Sequence, residues 1–494
     1  MALTKQSLDK DLEKIVHVEA ATRTTASGIV AHGFALIFLG LSALVAGLYA
    51  GLAADTAPVI LAAILGGYMA LNIGANDVAN NVGPAVGSRA LTMFGALLVA
   101  AVFESAGALI AGGDVVATVS KGIIDPAQVA DNLTFVWAMT AALISSAVWV
   151  NLATCIGAPV STTHAVVGGV MGAGIAAVGV QLVNWATMGA IALSWVVSPL
   201  LGGAIAAVFL AFIKINLIYQ EDKIAAARRW VPLLVAIMAG AFAYYLSIKG
   251  LKQVWHPGQL ALGAIGVGCF AVTWVVVHPL IRRQSRGMEN RNQSLRHLFR
   301  IPLICSAALL SFAHGANDVA NAVGPLAAIL HSVQFGDVAG KVDVPVWIMM
   351  IGAFGISLGL FLYGPKLVQM VGDRITKMNP MRAYCVALSA AVTVIIASWF
   401  GLPVSSTHIA VGAVFGVGFF REVFTRHSRR RRDLVGQGRT NNNDDEIAVA
   451  ADELRYRKLV RRTHFLTIVA AWVITVPATA LLSALIFFGL SLLR

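Results

Sequence analysis

Apolar residues run through this chain in long, nearly unbroken windows separated by short polar segments. The windows fall at 33–53, 58–75, 90–112, 134–157, 159–180, 186–213, 230–248, 258–281, 301–316, 345–363, 383–402, 403–420 and 464–493. A helix needs about 20 residues to cross a bilayer. The pattern therefore predicts an all-α polytopic membrane protein with about 11 to 13 membrane segments. Composition agrees: 58% of the 494 residues are hydrophobic and only 12% are charged, against about 25% charged in a soluble domain. The first 32 residues hold Asp9, Asp11, Glu13 and Glu19 among their basic residues and lack a small-residue cleavage site. No cleaved signal peptide is predicted, and the first window stays as a helix.

A net charge of +12 would suggest nucleic acid in a soluble chain, but here the basic residues are topology signals. Of the 36 Lys and Arg, 26 lie in segments 1–32, 214–229, 282–300 and 421–462. The positive-inside bias places all four on the cytoplasmic side. One crossing per window returns each to that side, since six, two and four windows separate them in turn. The N-terminus is then cytoplasmic and the C-terminus periplasmic. Segment 421–463 reads as a solvated cytoplasmic loop, with a helix expected between Asp444 and Arg462. Its basic run lacks interleaved aromatics, so it is not read as a nucleic-acid site. Cys155, Cys269, Cys305 and Cys385 have no metal or redox spacing and read as packing residues.

Two blocks occur twice, in the same order. Residues 74–84 read GANDVANNVGP and 315–325 read GANDVANAVGP; 159–174 and 403–418 share the frame PVSxTHxxVGxVxGxG. The chain is internally duplicated. From the window of the first GANDVAN motif to that of the second there are seven steps, an odd number, so the two helices run in opposite directions and the repeats are inverted. The expected units are 1–57 with an extra membrane helix, repeats 58–213 and 301–420, a connector 214–300, the loop 421–463 and a last helix 464–494. Inverted repeats with broken or re-entrant helices place a substrate site near the bilayer midplane.

Asp77 and Asp318 lie inside apolar windows, where an acid costs about 2.5–3.5 kcal/mol and needs a partner or a cation. Asn76, Asn80 and Asn81, with Asn317 and Asn321, add amide oxygens suited to a hard ion such as Na+ and amide NH groups suited to an anion. Gly74, Gly83 and Pro84, like Gly315, Gly324 and Pro325, allow the helix to break there. The second motif reads as a helix start. Ser161, Thr162 and Thr163, or Ser405, Ser406 and Thr407, join backbone NH groups and a positive dipole end in an anion site of the phosphate-binding kind. Ordinary N-capping is the plainer reading of the same residues. His164 and His408 could bind the oxyanion, relay a proton or orient a threonine hydroxyl. Glu104 is an acid in one half only, opposite the apolar Ile356, and is either a coupling site or a hydrogen-bonded structural acid. His314, opposite Ile73, reads as local packing. The absence of GxxxxGK[ST] leaves an ATP-driven pump unsupported.

At these paired motifs the chain resembles the PiT family of inorganic phosphate transporters, over roughly residues 58–213 and 301–493. The resemblance implies a cation-coupled symporter, with H+ or Na+ entering beside phosphate. It implies phosphate and cation sites at Asn76, Asp77, Asn317 and Asp318 and at the six hydroxyl residues. Asn80, Asn321, Glu104, His164 and His408 join the expected coupling set, and Asp77 and Asp318 are the Na+ ligands if sodium is the ion. No resident cofactor is implied, and a divalent metal–phosphate complex is one form the substrate can take. Partners are inorganic phosphate and the inner-membrane bilayer, with a homodimer left open. Alternatives are a permease for sulfate or another tetrahedral anion and a passive anion channel. The chain is not expected to be an enzyme.

Overall fold

The computed structural model describes residues 28–49, 56–124, 129, 131–158, 160–250, 258–335, 344–374, 378–427 and 462–492. Most of the 421–463 loop, including the helix expected after Asp444, lies outside the described residues. The described chain is helical, and each of the thirteen apolar windows is met by a helix. These are α1 (Gly28–Tyr49), α2 (Thr56–Gly87), α3 (Met93–Ala111), the short α4 (Gly113–Ala117), α5 (Asn132–Ile156), α6 (Thr162–Ala177) and α7 (Trp185–Ile213). After these come α8 (Lys223–Gly250), α9 (Gln259–Gln284), the short α10 (Asn292–Leu298), α11 (Arg300–Phe335), α12 (Val346–Arg374), α13 (Pro380–Trp399), α14 (Ser406–His427) and α15 (Arg462–Ser491). Twelve are long and apolar enough to cross a membrane; α6, with 16 residues, falls short.

Caps place the boundaries the apolar runs leave vague. Thr92, Asp131, Ser161, Asn184 and Asn379 each accept a backbone NH at a helix start, satisfying one of the orphaned donors there. Gly157 ends α5 in the left-handed region at φ 74°, and Gly401 takes φ 66° just beyond α13. A side chain would strain both positions. These two glycines turn the chain into the PVS[ST]TH motifs.

The halves interpenetrate. The motif helix α2 packs chiefly on α12 of the other half, and α11 packs on α3. A Cβ added at Gly74 would fall 1.9 Å from the Ile356 carbonyl oxygen, and one at Gly315 would fall 2.0 Å from that of Glu104. Here the repeat's glycines serve close helix approach. Expectation and structure differ on this point: α2 and α11 run unbroken through both GANDVAN motifs, with Pro84 and Pro325 inside them. The acids need no exposed backbone there, because side chains of neighbouring helices reach them.

Equivalent helices run in opposite directions. Gly66 of α2 faces Ala322 of α11, whereas Asp77, further along α2, meets His314, earlier on α11. In the α3 and α12 pair, Ser105 Oγ lies 3.4 Å from Ala353 O and Ser357 Oγ 3.0 Å from Ala101 O, and the two hydroxyls hydrogen-bond each other at 2.7 Å. A pseudo-twofold axis passes between them. α5 and α6 form an antiparallel pair, with Ser146 beside Ala165 and Ala142 beside Gly169. Between them Gly157 and Ala158 are half-buried and Val160 and Ser161 are buried. α11 is the most enclosed helix, with 89% of its apolar window buried, against 11% for α9 and 22% for α1.

Candidate functional site

The two PVS[ST]TH turns bring the starts of α6 and α14 to the motif aspartates. Thr162 donates to Asp77 Oδ2 at 3.0 Å, and its repeat partner Ser406 donates to Asp318 Oδ2 at 2.8 Å. The halves also cross: Thr407 donates to Asp77 Oδ1 at 3.0 Å. The amides of Asn80 and Asn321 follow the same crossed rule, donating to Thr407 Oγ1 at 2.9 Å and Thr163 Oγ1 at 3.1 Å. All these residues are buried. Thr163 donates to the Val404 carbonyl at 3.0 Å, linking one turn to the other.

Ser161 and Ser405 are N-caps, accepting the NH of His164 at 3.1 Å and of His408 at 3.3 Å. Asn76 and Asn317 brace the turns. The Asn76 amide meets the Thr154 hydroxyl at 3.0 Å, and the Asn317 amide donates to Ser398 Oγ at 3.0 Å and to Leu402 O at 3.2 Å. The imidazoles of His164 and His408 face each other edge to face at 4.3 Å. Trp195 packs against the first at 3.8 Å and Trp472 against the second at 3.7 Å. Both rings sit in an aromatic box on the pseudo-twofold axis. His314, by contrast, is in ion-pair contact with carboxylates.

His314 overturns its reading as local packing. Fully buried, it places Nε2 at 2.9 Å from Asp318 Oδ2 and 3.7 Å from Asp77 Oδ2, with Nδ1 at 3.4 Å from Glu104 Oε1. Glu104 also accepts from the Asn81 amide at 2.7 Å. One donor atom each of Asp77, His314 and Asp318 falls within 4.8 Å of the others, a spacing that suits a cation. Four further oxygens, Asn81 Oδ1, Glu104 Oε2, Asp318 Oδ1 and Asn321 Oδ1, are buried without a hydrogen-bond partner. Carboxylate and amide oxygens are the ligand type hard cations take. The sequence did carry a signal for His314: it breaks the repeat opposite Ile73, as Glu104 does opposite Ile356.

An all-helical, internally inverted membrane fold with hydroxyls, amides and acids converging in its core defines a multi-pass membrane transport protein. The sequence profile of the phosphate transporter family matches residues 73–483, and the chain belongs to that family. A relative from Helicobacter pylori (strain J99), whose given name carries the words phosphate permease, is 44% identical over 98% of this chain and 99% of its own. A similarly named Pyrococcus abyssi relative is 35% identical over 85% of this chain and 94% of its own. A solved structure titled the sodium-dependent phosphate transporter superposes with a TM-score of 0.76 at 35% identity, covering 89% of this chain and 100% of the other. The protein is thus a transporter of the phosphate class and not an enzyme.

Proposed function

We propose that this protein is a secondary symporter that imports inorganic phosphate across the bacterial inner membrane together with H+ or Na+, by alternating access of its two inverted halves. The N-terminus is cytoplasmic and the C-terminus periplasmic, as the basic segments direct. The observation that carries the reading is the buried charge. Asp77, Asp318 and Glu104 surround one imidazole. With all four ionised, two negative charges remain uncompensated in a low-dielectric core, which protons or cations must offset.

Phosphate binds between the starts of α6 and α14, at Ser161, Thr162, Thr163, Ser405, Ser406 and Thr407, with Asn76 and Asn317 holding the turns. A hydroxyl has one proton to donate, and Thr162, Thr407 and Ser406 give theirs to the aspartates. A proton or Na+ arriving on an aspartate oxygen releases that hydroxyl to donate to a phosphate oxygen. Cation and phosphate therefore favour each other's binding, which is the thermodynamic requirement for symport. Asn80, Asn321 and Glu104 supply further oxygens to the cation, while His164 and His408 line the axis between the two helix starts.

The test is labelled-phosphate uptake into proteoliposomes under a sodium gradient, a proton gradient or neither, with sulfate added in parallel. Accumulation under one gradient, unaffected by sulfate and lost in Asp77→Asn and Asp318→Asn, is the expected result. Equilibration without any gradient would make the protein a passive channel, and suppression by sulfate would make it a broader oxyanion permease.

A further inference from the structure

The helices α8 and α9, outside the duplicated motifs, enclose an open groove of about 810 Å3 on the periphery of the molecule. Beyond it the same two helices cross tightly. A Cβ at Gly240 would lie 2.8 Å from Gly266 O and 3.0 Å from the Phe270 side chain. Arg228, Arg229 and Arg282 line the groove together, and no acidic residue does. The apolar part of its wall is built on Leu233, Phe270 and Trp274.

Three details mark the basic part as a built site. Arg228 donates through Nε to Ser285 Oγ at 2.7 Å and through a terminal nitrogen to Ser285 O at 3.3 Å. These bonds hold its guanidinium across the gap between the helices and use two of its five donors. Arg229 lies over the Trp230 ring at 5.3 Å, a second orientation by packing. His278, on the same wall, has an enclosed Nδ1 with no hydrogen-bond partner. Trp274, whose ring lies 5.3 Å from His278, is 42% exposed to the surroundings of the bundle.

The dimensions match one leaflet. Phe270 and Arg282 are twelve residues apart on α9, about 18 Å at 1.5 Å per residue. The hydrocarbon core is ~30 Å thick, so the groove spans roughly half of it. The arginines belong to segments 214–229 and 282–300, which the positive-inside bias puts at the cytoplasmic face, where anionic lipid is available.

We propose that this groove binds an anionic phospholipid of the cytoplasmic leaflet. Its phosphate lies among Arg228, Arg229 and Arg282, and an acyl chain runs along Trp274, Phe270 and Leu233 toward the Gly240–Gly266 crossing. Guanidinium groups suit a phosphodiester because they pair with two oxygens at once.

Quenching of Trp274 tests it. The full chain is placed in phosphatidylcholine nanodiscs doped with chain-brominated phosphatidylglycerol or, at equal mole fraction, chain-brominated phosphatidylcholine. Trp274→Phe supplies the difference signal. The expected result is stronger quenching of Trp274 by the anionic lipid, a preference that Arg229→Gln with Arg282→Gln lowers by about tenfold or more. Equal quenching of the unaltered chain by both lipids would overturn the proposal without recourse to any arginine variant. Displacement of the brominated phosphatidylglycerol by millimolar inorganic phosphate would also overturn it, reassigning the arginines to free phosphate.

Discussion

The two halves of the core present the same surface to each other twice, and the two copies differ in chemistry. On one side of the pseudo-twofold axis, Gly315 rests against the backbone of Glu104, with His314 beside it. On the other, Gly74 rests against the backbone of Ile356, with Ile73 beside it. The eleven-residue motif has one mismatch, Asn81 against Ala322, and Asn81 is the residue that donates to Glu104. The three departures from symmetry thus meet at one place. Ile73 and Ile356 are fully buried, so the apolar version of the contact packs without polar groups. The duplicated fold makes the contact twice but carries the polar trio once, so the packing that the two sides share does not itself require the trio.

The largest effect is expected from converting the polar side into a copy of the apolar one. Glu104→Ile or His314→Ile alone strands a buried partner and should cost about 3–5 kcal/mol, read as a fall in detergent unfolding temperature. The double variant should recover the part of that loss that belongs to Glu104, since a hydrophobic pair often replaces a buried ion pair without penalty, while Asp318 and Asp77 still lack their imidazole. Its gradient-driven uptake should nevertheless be lost. Uptake at the parent rate by the double variant would assign the polar trio to structure and break the comparison.

Gly74→Ala and Gly315→Ala test what the two sides share. In both, the new methyl meets a backbone carbonyl at about the same distance, 1.9 and 2.0 Å. A backbone cannot swing aside as a side chain can. Each should cost about 3 kcal/mol, at the top of the usual range for overpacking. Unequal costs would mean that the halves carry different loads. Asn81→Ala is smaller, about 2 kcal/mol for leaving a Glu104 oxygen without its donor, and should lower uptake more than stability, as measured on the same preparation.

The membrane class, the duplication, the opposed directions of α2 and α11 and the hydroxyl-bearing helix starts were all legible in the sequence, because they rest on long apolar windows and on identical blocks. The inference that glycine and proline mark a break in the GANDVAN helices was misplaced. Glycine also serves close packing, and a single chain of letters does not reveal the Ile356 and Glu104 backbones that lie against Gly74 and Gly315. His314 was hidden for a related reason. A histidine is placed by its neighbours in space: Asp318 lies four residues on, but Glu104 and Asp77, which complete its surroundings, lie over 200 residues away in the chain. The rule that would have found it treats each polar residue lacking a polar counterpart in the repeat as a candidate member of one cluster.

The smallest expected effect concerns the axis itself. Ser105 and Ser357 are equivalent by the repeat, and each reaches a carbonyl of the opposite helix while sharing a hydrogen bond with the other's hydroxyl. Either serine changed to alanine removes the shared contact, so each single variant should cost about 1 kcal/mol. Once one is gone the second has less to lose, and the double variant should fall short of the sum by roughly 0.5 kcal/mol. Near-equal single effects with that shortfall, in a thermal-unfolding cycle, are what a twofold contact demands. Additive effects would mean that the two hydroxyls act on their own helices and that the symmetry of the fold stops short of its hydrogen bonds.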